Sequence, residues 1–296
     1  MRFLSETWEL YSSNILSSAS RRSIVCETGR WKNYIAPFFT GREAANITSL
    51  DVIKFRAFLS KKQLSPQTVY HCLSLLRRIL NRAKNWGLYS GELPAFEMPK
   101  FDNKRIKFLS PSEAEKLLSF LKYSHPDWYD ISIVGLYTGL RAGEIFKLTS
   151  SDVQLEKNLL VVLDTKSKTN RVVPLNRHSR DALERNLNPF SPSSPIFDHK
   201  SCKTFSRAVE ACGLNDGILD RRHRVVFHTL RHTFASWLVQ AGVPIAVVSQ
   251  LLGHKDLKMT MRYAHLAPQQ AMEAIDYLAT IEIGISQDKN SQKLPK

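Results

Sequence analysis

The chain has 296 residues, enough for one large or two ordinary domains with a real buried core. Hydrophobic residues make up 43% of it, as in globular proteins, and 42 Lys+Arg against 27 Asp+Glu leave a formal net charge of +15. That excess, with a pI near 9.7, points to a polyanionic partner, nucleic acid first. Cys26, Cys72, Cys202 and Cys212 are scattered with no C-x-x-C pair, which argues against a disulfide framework and a cysteine zinc site. No run approaches the ~18 apolar residues of a membrane span. The opening MRFLSETWEL is interrupted by Glu6 and Glu9 and does not read as a secretory signal. A reducing cytoplasm is the expected location, with no membrane partner.

Residues up to about 100 read as helical. The clearest helix has Ser65 as its cap and Pro66 in its first turn, then Val69, Cys72, Leu73, Leu76, Ile79, Leu80 and Ala83 recurring on one face. Gly87 is placed to end it. His71, Arg78 and Arg82 fall on or near the opposite face, with Arg77 and Lys84 on the flank. Between Val52 and Gly91 stand eight basic residues (Lys54, Arg56, Lys61, Lys62, Arg77, Arg78, Arg82 and Lys84) and no acid. A solvated face normally mixes both signs, so this stretch is expected to meet the phosphate backbone of DNA. Residues 101–109 read as a polar, basic linker within PKFDNKRIKFLSPSE. A new helix begins there, with Ser110 as cap, Pro111 next and Glu113 completing a capping box.

From residue 110 to 285 the pattern mixes helices with a short sheet. LLVVL (Leu159–Leu163) and RVVPL (Arg171–Leu175) are β-branched runs around the polar turn DTKSKTN, and Pro174 suits an edge strand or a strand end. After His178 the chain is mainly helical, broken at Pro189–Pro195 and around Gly213–Asp220. Residues 286–296 read as a disordered tail. The expected fold is mainly α with a small β-sheet, an α+β arrangement in two domains.

The chemistry concentrates between His228 and Tyr263. His228 and Arg231, three residues apart in HTLRH, share a helix face. His254 follows Gly253 in LLGHKD, and Tyr263 lies in MRYAH. A phenol is a poor nucleophile at neutral pH unless cations and an imidazole help remove its proton. His228 and His232 imitate a zinc spacing, but a zincin glutamate is missing and Arg231 would sit beside the metal, so His232 reads as a structural histidine. Upstream, Arg141 in TGLRAGEI has the planar fork that grips phosphate oxygens, although taken alone it reads as a helix-surface residue. Glu144 shares its face and is expected to support it. Lys166 stands in the hairpin turn, where a lysine can donate a proton to a leaving oxygen; Lys168 is its rival, and either alone reads as a solvated turn residue. A magnesium cluster of Asp127, Asp130, Glu144 and Asp152 matches no defensible spacing, and no phosphate-binding G-x-x-x-x-G-K-[ST] loop is present, so no cofactor or metal is expected.

In order, TGLRAGEI, TKSKTNRVVPL, HTLRHTFASWLVQAGV, LLGHKD and MRYAH resemble the catalytic domain of the tyrosine recombinases of the phage-integrase family, over about residues 138–265. LSPQTVYHCLSLLRRILNRAKNWG resembles, less specifically, the SAM-like core-DNA-binding domain of such enzymes. The resemblance implies a DNA clamp of a helical domain (residues 1–100) and a catalytic domain (residues 110–285). The helical domain would contact DNA through Lys61, Lys62, Arg77, Arg78, Arg82 and Lys84. It implies Arg141, Lys166, His228, Arg231, His254 and the nucleophile Tyr263 as the catalytic set, with Lys166 preferred over Lys168 by its distance to RVVPL. It further implies a 3′-phosphotyrosyl intermediate, a homotetramer on double-stranded recombination sites and a nucleoid-associated enzyme, open to accessory DNA-bending proteins. Residues Ala271 to Ile285 would be exchanged between subunits or packed on their own domain. A short form without an arm-binding domain is expected. A type IB topoisomerase and a non-catalytic DNA-binding regulator of the same fold are the rival readings.

Overall fold

The computed structural model describes residues 3–102, 107–163, 170–199, 201–267, 275–277 and 280. The chain divides into two compact units, Met1–Asn103 and Lys104–Lys296, and the division falls inside the 101–109 segment.

The first unit is helical: α1 (Leu4–Asn14), α2 (Arg21–Arg30), the short α3 (Ala36–Phe38), α4 (Ser49–Lys61) and α5 (Pro66–Asn85). Five residues between α2 and α3, Trp31–Ile35, form a π-helical turn that the sequence does not signal. Local spacing carries no mark of such a turn; it is favoured where Trp31 stacks on Trp8 at 4.7 Å and Ile35 becomes wholly buried. The Ser65 hydroxyl accepts from the Thr68 amide and Pro66 fills the first turn of α5, where no backbone donor is required. All seven apolar positions read from the sequence of α5 are buried, together with Leu75, and they pack with α1 and α4 around Phe55 and Leu59. A full-length apolar face of this kind, rather than intrinsic propensity, supplies most of a helix's stability.

The second unit is built on α7 (Pro126–Thr138), which packs against α6 (Pro111–Ser124), α9 (Arg177–Glu184) and α11 (Phe227–Gln240). Helices on several sides explain why α7 is apolar nearly all round, with Trp128, Ile131, Ile133, Val134 and Leu136 all buried. Ser110 and Glu113 close the expected capping box on α6, with Ser110 Oγ accepting from the Glu113 amide at 3.1 Å and Glu113 Oε2 accepting from the Ser110 amide at 2.8 Å. After the single turn α8 (Ala142–Ile145) comes an antiparallel sheet in the order β1 (Val153–Gln154), β2 (Leu159–Val162), β3 (Arg171–Pro174). Two-residue β1 is too short to read in the sequence. β3 is an edge strand, which accommodates Pro174 opposite Leu159. Lys203–Ala211 forms α10, and Ile245–Leu252 forms α12, which packs on α11 and β3. Tyr263 lies in a 3₁₀ segment, Met261–Leu266, that packs against α11. None of the helices among the described residues is long and apolar enough to cross a membrane.

Gly139 ends α7 in the left-handed conformation at φ 66°, and a Cβ there would come within 2.5 Å of the Phe234 ring. Gly139→Ala therefore combines an unfavourable backbone region with overpacking, for an expected loss of about 2–4 kcal/mol in unfolding free energy. Urea unfolding of the full chain checks this, and an unchanged midpoint would contradict the close packing.

Candidate functional site

Four chain segments of the second unit converge. The first is the turn after α7, where Gly139 reverses the chain and Arg141 becomes the N-cap of α8 rather than a residue on the helix itself. Glu144, in the first turn of α8, accepts from the Arg141 amide at 2.8 Å and pairs with its guanidinium at 2.8 Å. The carboxylate thus fixes both the backbone and the side chain of Arg141, which remains 38% exposed.

The second segment is the start of β3. Arg171 donates to both Glu144 oxygens, at 2.8 and 3.2 Å, and through Nε to the Leu251 carbonyl at 3.2 Å. In the sequence this arginine reads only as a strand residue beside a basic turn, with nothing to mark these contacts. Its spacing from Glu144 and Leu251 carries no local signal. Lys166, like its rival Lys168, lies outside the described residues.

The third segment is α11. Arg231 is 3% exposed and donates to the Gly139 carbonyl and the Leu252 carbonyl, both at 2.7 Å. His232 is buried beside it and its Nδ1 meets the Tyr263 hydroxyl at 2.5 Å. His228, one turn earlier, is exposed and stands edge-on to the His232 ring at 4.7 Å. The histidine that reads as structural in the sequence is therefore the one in contact with the phenol. The fourth segment comes after α12. Gly253 takes φ 65°, with Arg171 packed where a Cβ would lie, and presents His254, whose Nδ1 meets the buried Thr260 hydroxyl at 2.7 Å. Tyr263 itself is only 6% exposed.

Among the described residues, the guanidiniums of Arg141, Arg171 and Arg231 share this site with the Glu144 carboxylate. Burial first, and the charges of Arg141 and Arg171 next, depress the Arg231 pKa to about 9. Burial and the guanidiniums of Arg231, Arg141, Arg262 and Arg171 push His254 down to about 4, so its ring is neutral at pH 7. Burial would raise Glu144, but hydrogen bonds from Arg171 and the Arg141 amide, with the two positive charges, hold it below the ordinary carboxylate value. Burial raises the Tyr263 phenol against the opposing pull of Arg262 and Arg231, so the resting hydroxyl keeps its proton. A partly buried site with excess positive charge, a neutral imidazole and a protonated phenol is electrostatically suited to an anion.

No group of three or more His, Cys, Asp or Glu among the described residues is arranged to hold a metal. Asp130 is taken by Arg185 and Asn186, and Asp152 by Thr149. In the first unit, Lys61, Lys62, Arg77, Arg78, Arg82 and Lys84 are all exposed. Two are also engaged internally: Lys62 lies over the Phe58 ring at 5.0 Å, and Arg78 pairs at 2.7 Å with Glu27, which also accepts from Tyr11. An ion pair to a carboxylate 51 positions away is invisible to helix-face reasoning.

The His254 shift makes stability depend on pH. Its folded value of about 4 lies below the ordinary value of 6.5, so the unfolded chain binds the proton first. Its contribution is fully present above 6.5 and declines as pH falls toward 4. Urea midpoints across this window should fall more for the wild type than for His254→Gln; parallel declines would contradict a buried neutral imidazole.

The family model described as the phage integrase family matches residues 107–270. An integrase of Escherichia phage 186 is 32% identical over 218 residues, covering 72% of this chain and 61% of the relative. The chain therefore matches less than two thirds of that relative's length. A tyrosine recombinase of Pseudothermotoga lettingae is 31% identical over 246 residues, covering 80% of this chain and 84% of the relative. Among solved structures, the Tn1549 transposon integrase in complex with a circular intermediate DNA superposes with a TM-score of 0.76. At 18% identity, it covers 94% of this chain and 99% of that one, a likeness of fold. With a family model matched over more than half its length, this chain belongs to the phage integrase family.

Proposed function

We propose that the protein is a site-specific tyrosine recombinase that cuts and rejoins double-stranded DNA through a covalent 3′-phosphotyrosyl intermediate. The observation that carries this is the placement of the Tyr263 phenol in a buried site with Arg231, within the field of an arginine cluster whose carboxylate among the described residues is Glu144. A phosphodiester supplies the missing negative charge. Arg141 and Arg231 bind its non-bridging oxygens and stabilise the charge of the pentacovalent transition state, while His254 adds a hydrogen bond. Tyr263 attacks in line and the 5′-oxygen leaves, protonated by Lys166. Attack by a 5′-hydroxyl of a partner strand reverses the step, so the ester conserves the bond energy without a nucleotide cofactor. His228 is near enough to His232 to assist proton movement at the tyrosine.

The helical unit contacts the DNA backbone, with Arg77, Arg82 and Lys84 as exposed cations of α5 and Lys61 at the end of α4. Lys62 and Arg78 contribute less, because Phe58 and Glu27 already engage them. Four strand cleavages on two duplexes need four active sites, which implies a tetramer on DNA.

The reading is tested with a randomised pool of nicked duplexes, from which the wild-type protein should retain sequences as an SDS-resistant adduct. Tyr263→Phe should form none, and an adduct at the wild-type level would remove the nucleophile assignment. Arg231→Ala should slow adduct formation by about 10²–10³-fold, the scale for losing one preorganised charge-stabilising donor. Replacing Arg77, Arg82 and Lys84 together by Ala should make the salt dependence of DNA binding shallower by about 2.7 in log–log slope, the value for three lost phosphate contacts on B-DNA. An unchanged slope would remove those residues from the interface.

A further inference from the structure

We propose that His232, rather than His228, is the base that takes the proton of Tyr263 during attack on the phosphate. The assignment rests on the recombinase function proposed for this site and adds a catalytic residue to it. His232 Nδ1 lies 2.5 Å from the Tyr263 hydroxyl, the atom that must lose its proton as it bonds to phosphorus. With Nδ1 as acceptor, the ring is the Nε2–H tautomer, and the bond points the hydroxyl at a lone pair able to receive the proton.

The other imidazoles of the site are placed for different work. His254 spends Nδ1 on the buried Thr260 hydroxyl and sits under the field of four arginines, which suits a neutral partner of phosphate oxygen. His228 is exposed and meets the His232 ring edge-on at 4.7 Å, one imidazole removed from the phenol. The helix supplies the reason. Arg231 and His232 are consecutive and both buried, so one turn of α11 delivers the cation and the base to the same pocket, while His228 lies on its wet side.

The step balances. The Oη–H bond breaks and its proton passes to His232 Nδ1. The electron pair left on Oη forms the bond to phosphorus. The bond from phosphorus to the 5′-oxygen breaks, and that oxygen keeps the pair and is protonated by the leaving-group acid, assigned to Lys166. Religation runs through the same atoms in reverse, with His232 returning the proton to Tyr263.

Adduct formation on a duplex selected by the wild-type protein from the randomised pool tests the assignment. His232→Asn keeps an acceptor oxygen near the Nδ1 position but cannot take a proton, whereas His232→Ala keeps neither. Both should slow adduct formation by about 10²-fold or more, the scale of general-base catalysis. DNA affinity and melting temperature, measured alongside, report whether each variant binds and folds, and His232→Gln serves if the Asn variant does not fold. The defect should persist on a duplex whose scissile 5′-bridging oxygen is sulfur, because a thiolate leaves without an acid. Near-wild-type rates in a folded His232→Asn or His232→Gln variant would reduce His232 to positioning and overturn the proposal. So would a defect erased by the sulfur substrate, which would mark an acid instead. If the wild type itself forms no adduct with any duplex, the recombinase function fails and the assignment falls with it.

Discussion

Arg231 is a buried cation held by two main-chain carbonyls, and much of the site's geometry depends on that bond pair. The carbonyls belong to Gly139, just past α7, and Leu252, the last residue of α12. Helix C-termini leave carbonyls without intrahelical partners, and a cation there is favourable to both. One guanidinium on α11 therefore ties the ends of two other helices together. At each of these ends a left-handed glycine turns the chain, Gly139 ahead of Arg141 and Gly253 ahead of His254. Arg171 repeats the device one residue earlier on α12, binding the Leu251 carbonyl while its other nitrogens hold Glu144. The groups proposed to bind phosphate are thus positioned by the same contacts that close the fold.

This construction has an electrostatic cost that a bound anion would offset. Removing a guanidinium from water without a carboxylate partner is unfavourable, and the depressed Arg231 pKa expresses that cost. The Glu144 carboxylate is already shared by Arg141 and Arg171. In the proposed reaction an entering phosphodiester would restore the balance, and its binding would be strongest where negative charge grows most, in the transition state. The same positive field keeps His254 neutral. It also favours a phenolate once the Tyr263 proton has somewhere to go, although burial outweighs that pull in the resting site.

The fold was legible where local rules decide it. The buried face of α5, the Ser110–Glu113 capping box, the strands β2 and β3 and the glycine before His254 all come from spacing, capping and residue types within a few positions. What escaped was decided by contacts between distant segments. The Trp31–Ile35 π-turn accompanies the stacking of Trp31 on Trp8, and the pairing of Arg78 with Glu27 links α5 to α2. In the site, the residue types and their order were legible, because a phosphodiester needs cations, an imidazole and a nucleophile. Which histidine meets the phenol was not: His228 and His232 lie on the same helical stripe, and only the position of the Met261–Leu266 segment distinguishes them. Arg171 was hidden for the same reason, since its partners lie 27 and 80 positions away.

The central claim, that the arginine-rich pocket brings a phosphodiester to Tyr263, is tested most directly by mapping the covalent bond. The DNA adduct of the wild-type protein would be digested with protease and nuclease, and the modified peptide sequenced by mass spectrometry. The account predicts a nucleotide attached through its 3′-phosphate to Tyr263, in the peptide containing MRYAH. A nucleotide on any other residue, or one attached through a 5′-phosphate, would contradict it.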